Sequence, residues 1–197
     1  MVAESHDVYE KMKAGFVETS SGTHFNLDAP EFRPDDIAHA LSLNCRFNGH
    51  PSQFYSVAEH SMLVSAIVHL LGGTREQVLE GLLHDATEAY LTDVPAPFKQ
   101  FLPDWKKLDA DLDSKFRAWA ELPQEKDALV KKADWIALFI EAYQLIPDAG
   151  ACFLDPEGVR QKALDLADEH DLWPLCIGAR TAEQMFLECW HELADEE

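Results

Sequence analysis

The sequence predicts an all-α chain, a single bundle of about seven helices with a small β-hairpin at its N-terminal end. Three observations predict it. Apolar residues recur at helical rather than alternating spacing through most of the chain. Capping boxes and prolines open these stretches, and glycines or prolines close them. At 197 residues the chain can bury one sizeable core but is short for two independent domains.

The elements follow in order. Residues 1–33 read as an extension and residues 34–197 as the helical core, within one domain. Phe16-Val17-Glu18-Thr19 and Thr23-His24-Phe25 are β-prone runs around Ser20-Ser21-Gly22, a hairpin pattern. Pro34 opens a helix to about Arg46, with Ile37, Ala40, Leu41 and Leu43 at helical spacing. Ser56-Val57-Ala58-Glu59 is a capping box for a helix that carries Leu63, Val64, Ile67, Val68 and Leu71 and stops at Gly72-Gly73. Thr74-Arg75-Glu76-Gln77 is a second box, for a helix to about Tyr90, and Pro95 and Pro97 break the chain beyond it. Further helices are expected at about 104–121, 124–146, 156–170 and 178–194, with Asp195-Glu196-Glu197 as a frayed tail.

Charge narrows the function. Thirty-six acidic against sixteen basic residues give a formal net charge of -20, which disfavours nucleic acid and anionic membranes as partners. A phosphate-bearing substrate would need a local reversal of that field by a cation and a few Arg or Lys. Cys45, Cys152, Cys176 and Cys189 form no C-x-x-C pair and read as reduced thiols. The first residues lack the apolar stretch of a signal peptide, and Met62 to Leu71 is too short to span a bilayer. A soluble, cytoplasmic chain is expected.

The sharpest local feature is Leu82-Leu83-His84-Asp85-Ala86-Thr87-Glu88. A His-Asp pair inside a predicted helix is a poor choice for packing, because a buried carboxylate is costly unless it is paired or ligates a metal. Glu88 lies four residues after His84 and three after Asp85, on a neighbouring part of one face. A second His-Asp pair, His170-Asp171, has no such setting. The helices on either side of Gly72-Gly73 must run roughly antiparallel. His60 and His84 each lie about twelve residues from that turn, hence at matching heights, roughly 18 Å along the helices. Two imidazoles and a carboxylate can therefore converge. Asp134, set in the apolar stretch Val130 to Ile140, is the best candidate for a fourth ligand.

These residues carry a resemblance. The pattern His60…His84-Asp85…Asp134 in a helical chain resembles the HD-domain metal-dependent phosphohydrolases. Ser56-Val57-Ala58-Glu59-His60-Ser61, Leu83 to Glu88, Asp93-Val94-Pro95-Ala96-Pro97 with Lys99, and Val130 to Asp134 are similar to segments of the bacterial HD-domain 5′-deoxynucleotidases. They also resemble the related phage dATP triphosphohydrolases. The likeness covers roughly residues 36 to 145. It implies an HD-domain bundle, one divalent metal on His60, His84, Asp85 and Asp134, and a homodimer. It further implies that Arg46 contacts the substrate phosphate, that Glu88 orients or deprotonates the attacking water, and that Asp93 stands near the sugar or leaving group. Phe47 stands where the deoxynucleotidases carry a tryptophan that screens the 2′ position, a departure that weakens any expectation of strict deoxyribose selection.

The chemistry is coherent without the family. Two His and two Asp offer mixed nitrogen and oxygen ligation with positions left for water and a phosphate oxygen, and they suit Mn, Co, Fe, Zn or Mg. Asp85 and Glu88 can handle the water, while Arg46 and Lys99 supply the positive charge that the acidic chain otherwise lacks. A nucleotide phosphohydrolase is the expected function, 5′-nucleotidase-like on dNMPs, with a dNTP triphosphohydrolase as the alternative. Lys131 and Lys132 are the only nearby candidates for extra phosphates. Hydrolysis of guanosine alarmones is disfavoured, since Glu88 is followed by Ala89 rather than Asp, and cyclic dinucleotide hydrolysis lacks its Gly-Tyr-Pro motif. A metal-bearing nucleotide sensor without turnover is the alternative from another class. The five tryptophans read as core or interface aromatics.

Overall fold

A computed structural model describes residues 15–147, 155 and 158–194. The expected tail at 195–197 lies outside them. Strand β1 (Phe16–Glu18) pairs antiparallel with β2 (His24–Asn26), with Val17 opposite Phe25. Seven longer helices follow among the described residues: α1 (Pro34–Leu43), α2 (Val57–Leu70), α3 (Arg75–Leu83), α6 (Pro103–Trp119), α7 (Ala128–Leu145), α8 (Val159–His170) and α9 (Ala179–Ala194). Between α3 and α6 lie two single turns, α4 (Glu88–Leu91) and α5 (Ala96–Lys99). No helix among the described residues is long and apolar enough to cross a membrane.

Helix α2 is the centre of the bundle and packs on α1, α3, α7 and α9. Both predicted capping boxes are formed. Ser56 Oγ accepts from Glu59 N and Glu59 returns a carboxylate to Ser56 N, and Thr74 and Gln77 do the same for α3. The α2–α3 turn is tight because only glycine fits it: Gly72 has φ +81°, and a Cβ on Gly73 would stand 2.6 Å from Val68 Cγ1. The pair is drawn closest at Gly81, where a Cβ would meet Ser65 Cα at 3.2 Å and where Ser65 Oγ donates to Val78 O. Two apolar clusters flank α2. Phe25, Ile37, Leu41, Leu82, Phe116 and Phe186 pack on one side, and Ile67, Val68, Val130, Ile136 and Ile140 on the other.

Three helices differ most from their predicted extents. The helix expected from about 124 begins at Ala128 and leaves Lys126 in the loop before it. The helix opened by Pro34 ends at Leu43, and Arg46 stands instead in a 3-10 turn, Arg46–Gly49, where Phe47 and Asn48 have φ of 52° and 54°. The helix predicted to reach Tyr90 ends at Leu83, so His84 and Asp85 lie in a turn and not in a helix interior. The cause is local competition for carbonyls. His84 Nδ1 lies 2.8 Å from Gly81 O, the acceptor that an unbroken helix gives to Asp85 N–H. Beyond it the bonds tighten to three-residue spacing, with Ala86 N donating to Leu83 O and Glu88 N to Asp85 O.

The hairpin is tied to the bundle by one carboxylate. Asp36, buried in the first turn of α1, accepts from the Thr19, Ser20 and Ser21 hydroxyls and from Ser21 N. Burial pushes its pKa up, but these bonds more than offset it and hold the group below the usual carboxylate range. Asp36→Ala is expected to cost about 1–3 kcal/mol in urea unfolding. The contribution of Asp36 is fully present above its unfolded pKa of about 4 and is lost as pH falls through the lower folded value. Asp36→Asn should therefore flatten the acid limb of stability against pH, and an unchanged limb would contradict this role.

Candidate metal centre

Three elements deliver four side chains to one point. His60 comes from the first turns of α2, His84 and Asp85 from the turn after α3, and Asp134 from α7. The close approach at Gly81 lies three residues before His84 and so fixes how near the imidazoles come. Their Nε2 atoms are 3.3 Å apart, and Asp134 Oδ1 lies 3.3 Å from His60 Nε2 and 3.9 Å from His84 Nε2. Ligand atoms of His60, His84 and Asp134 all lie within 4.8 Å of one another. Asp85 Oδ2 adds a contact at 3.2 Å to His84 Nε2 and 3.7 Å to His60 Nε2. All four sequence-predicted ligands are thus brought together.

The far nitrogen of each ring sets which way its lone pair points. His60 Nδ1 lies 2.7 Å from Glu141 Oε1, and His84 Nδ1 lies against Gly81 O. Both acceptors require a proton on Nδ1, so Nε2 of each ring is the atom turned toward the other. At 3.3 Å the two nitrogens need a proton or a metal cation between them. Two metal–nitrogen bonds of about 2.0–2.1 Å meeting near a tetrahedral angle set their nitrogens about 3.3 Å apart. The donor set and its spacing therefore fit a divalent ion. Burial and Arg46 press the His60 pKa down, yet Glu141 and Asp134 outweigh them and push it up to about 10. Burial raises the Asp85 and Asp134 carboxyls, but the imidazoles hold both below the usual range, helped at Asp85 by Lys126.

Around this group, cations and acids alternate. Arg46 is clamped, with Nη1 3.2 Å from Asp93 Oδ2 and Nη2 3.4 Å from Glu141 Oε2. Its guanidinium also lies 5.4 Å from the centre of the Phe47 ring. Lys99 Nζ is 3.8 Å from Glu88 Oε1. Burial, Asp85 and Asp93 push the Glu88 carboxyl well above the ordinary range. Glu88 Oε2 and Arg46 Nε are buried with no hydrogen-bond partner among the described residues. An acceptor and a donor so placed are what a bound water or oxyanion would satisfy.

Two supports escaped the sequence reading. Glu141 is fully buried, bonded to His60 and to the Tyr55 hydroxyl, and its signal was its place seven residues after Asp134, two turns along the same helix face. Lys126, from the loop before α7, donates to His84 O at 2.7 Å and lies 3.7 Å from Asp85 Oδ1. Nothing in the spacing indicated it. Lys131 and Lys132 instead line a cavity of about 280 Å³ with Trp135 and Phe139, whose lining includes none of the four candidate ligands. His170 and Asp171 end α8 and form only its C-terminal cap.

No family model matches the chain. It is 38% identical over 183 residues to the uncharacterized protein YfdR of Escherichia coli K12, across 91% of the chain and 96% of that protein. The chain belongs to the YfdR family. It is also 33% identical over 147 residues to the uncharacterized protein RCAP_rcc00048 of Rhodobacter capsulatus, across 68% of the chain and 74% of that protein.

Glu141→Gln is expected to weaken Mn(II) or Co(II) binding by about 10- to 100-fold in calorimetric titration, since it removes the charge behind His60. Unchanged affinity would remove Glu141 from this role. His60 must lose its proton before Nε2 can act as a ligand. Binding is therefore expected to release a proton and to strengthen as pH rises toward about 10. Titrations in buffers of different ionisation enthalpy read that proton, and their agreement would contradict the assignment.

Proposed function

We propose that the chain is a metal-dependent phosphohydrolase of the HD-domain type that acts on nucleotides, with a 5′-nucleotidase-like activity on deoxynucleoside monophosphates. The observation that carries this reading is the convergence of His60, His84 and Asp134, with Asp85 beside them, next to a buried Glu88 whose Oε2 has no partner among the described residues. The HD-type motifs supply the reaction class, and the local charges support it. Five carboxylates (Asp85, Glu88, Asp93, Asp134, Glu141) and three cations (Arg46, Lys99, Lys126) share the contacts around the centre. When all of these are ionised and His60 has given up its proton to become a ligand, two negative charges remain, which one divalent ion would balance.

A divalent ion on His60, His84, Asp85 and Asp134 would supply Lewis acidity and charge neutralisation for a phosphate ester. The remaining work falls to the chain. Glu88 Oε2 takes the proton of the attacking water, and Lys99 on Oε1 fixes the orientation of the carboxylate. Glu141 holds His60 in the tautomer that turns Nε2 inward. Arg46, held by Asp93 and Glu141, lends a fixed positive charge beside the centre, and Phe47 next to it is the aromatic we assign to the sugar.

Substrate length separates the two enzyme readings. Metal-depleted protein reloaded with Mn, Co, Mg, Zn or Fe(II) should release nucleoside and phosphate from dNMPs, as read by chromatography. Nucleoside and triphosphate from dNTPs would establish the triphosphohydrolase instead. No turnover with any metal would favour a nucleotide sensor. His84→Ala and Asp134→Ala are expected to lose both metal and turnover. Glu88→Gln should keep the metal and lose about 10²–10⁴-fold in rate. Glu88 acts only when ionised, and its pKa is raised, so the rate should climb with pH along an acid limb that Glu88→Gln abolishes. A Glu88→Gln variant of full activity would remove Glu88 from the reaction.

A further inference from the structure

We propose that Lys126 is the side chain that takes the substrate's phosphate group at this centre, an inference that rests on the phosphohydrolase reading above. Three cations border the His/Asp group, and they are not equally available. Arg46 has both terminal nitrogens on buried or nearly buried acids, and its side chain is only 11% exposed. Lys99 is paired with Glu88 and lies 5.1 Å over the Trp105 ring. Lys126 is 33% exposed and makes one hydrogen bond, to His84 O, which leaves two of its three N–H donors for a ligand. Its other neighbour is Asp85, whose two oxygens divide their work. Oδ2 faces the imidazoles, and Oδ1 faces the ammonium at 3.7 Å. A cation that drew charge from Asp85 would loosen that pairing and free Lys126 for an anion.

The loop is built to hold this lysine in place. Arg117 and Glu80 are a fully buried ion pair, at 3.1 Å. Arg117 donates to Pro123 O, and Glu80 Oε1 accepts from Asp127 N at 2.9 Å, so the pair grips the chain on both sides of Lys126. Glu121, at the start of the loop, sits at φ 56°, unusual for a residue with a side chain. Asp127 Oδ1 then caps α7 through Leu129 N. Burying two charges is costly, and a plain surface lysine would need no such frame.

The test uses the full chain loaded with Mn(II) and inorganic phosphate as the probe, with binding read from ³¹P relaxation and Mn(II) affinity titrated in parallel. Lys126→Met keeps the aliphatic stem without the charge. Compared at saturating Mn(II), it is expected to bind phosphate about 10- to 100-fold more weakly, the loss typical of one charged hydrogen bond. Lys126→Arg should recover most of the binding. Phosphate binding by Lys126→Met equal to that of the unsubstituted chain would overturn the role of Lys126 and leave the phosphohydrolase reading standing. Weaker Mn(II) binding in Lys126→Met with phosphate binding restored in full at saturating Mn(II) would also overturn it, since the lysine would then support the ion and not the phosphate. Absence of phosphate binding by the unsubstituted, Mn(II)-loaded chain would overturn both.

Discussion

Two imidazole Nε2 atoms held 3.3 Å apart set the terms for the surrounding structure. That separation follows from backbone packing. Gly81 lets α3 lie against Ser65 of α2, and Gly72 and Gly73 turn the chain sharply enough to keep the helices in register. A methyl group at Gly81 would press on the Ser65 backbone and move His84 with it. The imidazoles are thus placed by small residues several positions away, on rigid elements and not on a mobile loop.

Such a convergence is stable only if the charges around it are arranged with equal care. Glu141 and Gly81 O hold the ring tautomers, and Lys126 holds the other oxygen of Asp85. Arg46 joins Glu141 to Asp93, so the support of His60 and the edge of the pocket share one guanidinium. Glu88 is the exception. It is buried beside other acids with one oxygen lacking a partner among the described residues, and burial, Asp85 and Asp93 raise its pKa more than Arg46 and Lys99 lower it. Three of the sixteen basic residues of a chain of net charge -20 stand here, each beside an acid.

Much of the fold was legible because its signals are local. Capping boxes at Ser56 and Thr74, the proline at 34, and the Gly72-Gly73 stop all depend on residues a few positions apart. The hairpin was readable from two β-prone runs, but its attachment through Asp36 was not, since that bond joins residues some sixteen positions apart. His60, His84, Asp85 and Asp134 could be grouped because helix length converts sequence distance into height. The break at His84 was not legible, because it depends on an imidazole competing for the Gly81 carbonyl. Lys126 was hidden for a related reason. Its place is set by the buried Arg117–Glu80 pair, a tertiary contact that leaves no periodic trace.

The central claim is that this convergence holds a divalent cation. Anomalous diffraction from crystals soaked in Mn(II) tests it most directly. The account predicts a single strong peak within about 2.0–2.3 Å of His60 Nε2, His84 Nε2 and an Asp134 oxygen, with Asp85 beside it. An empty site under saturating Mn(II), with the imidazoles still 3.3 Å apart, would contradict it.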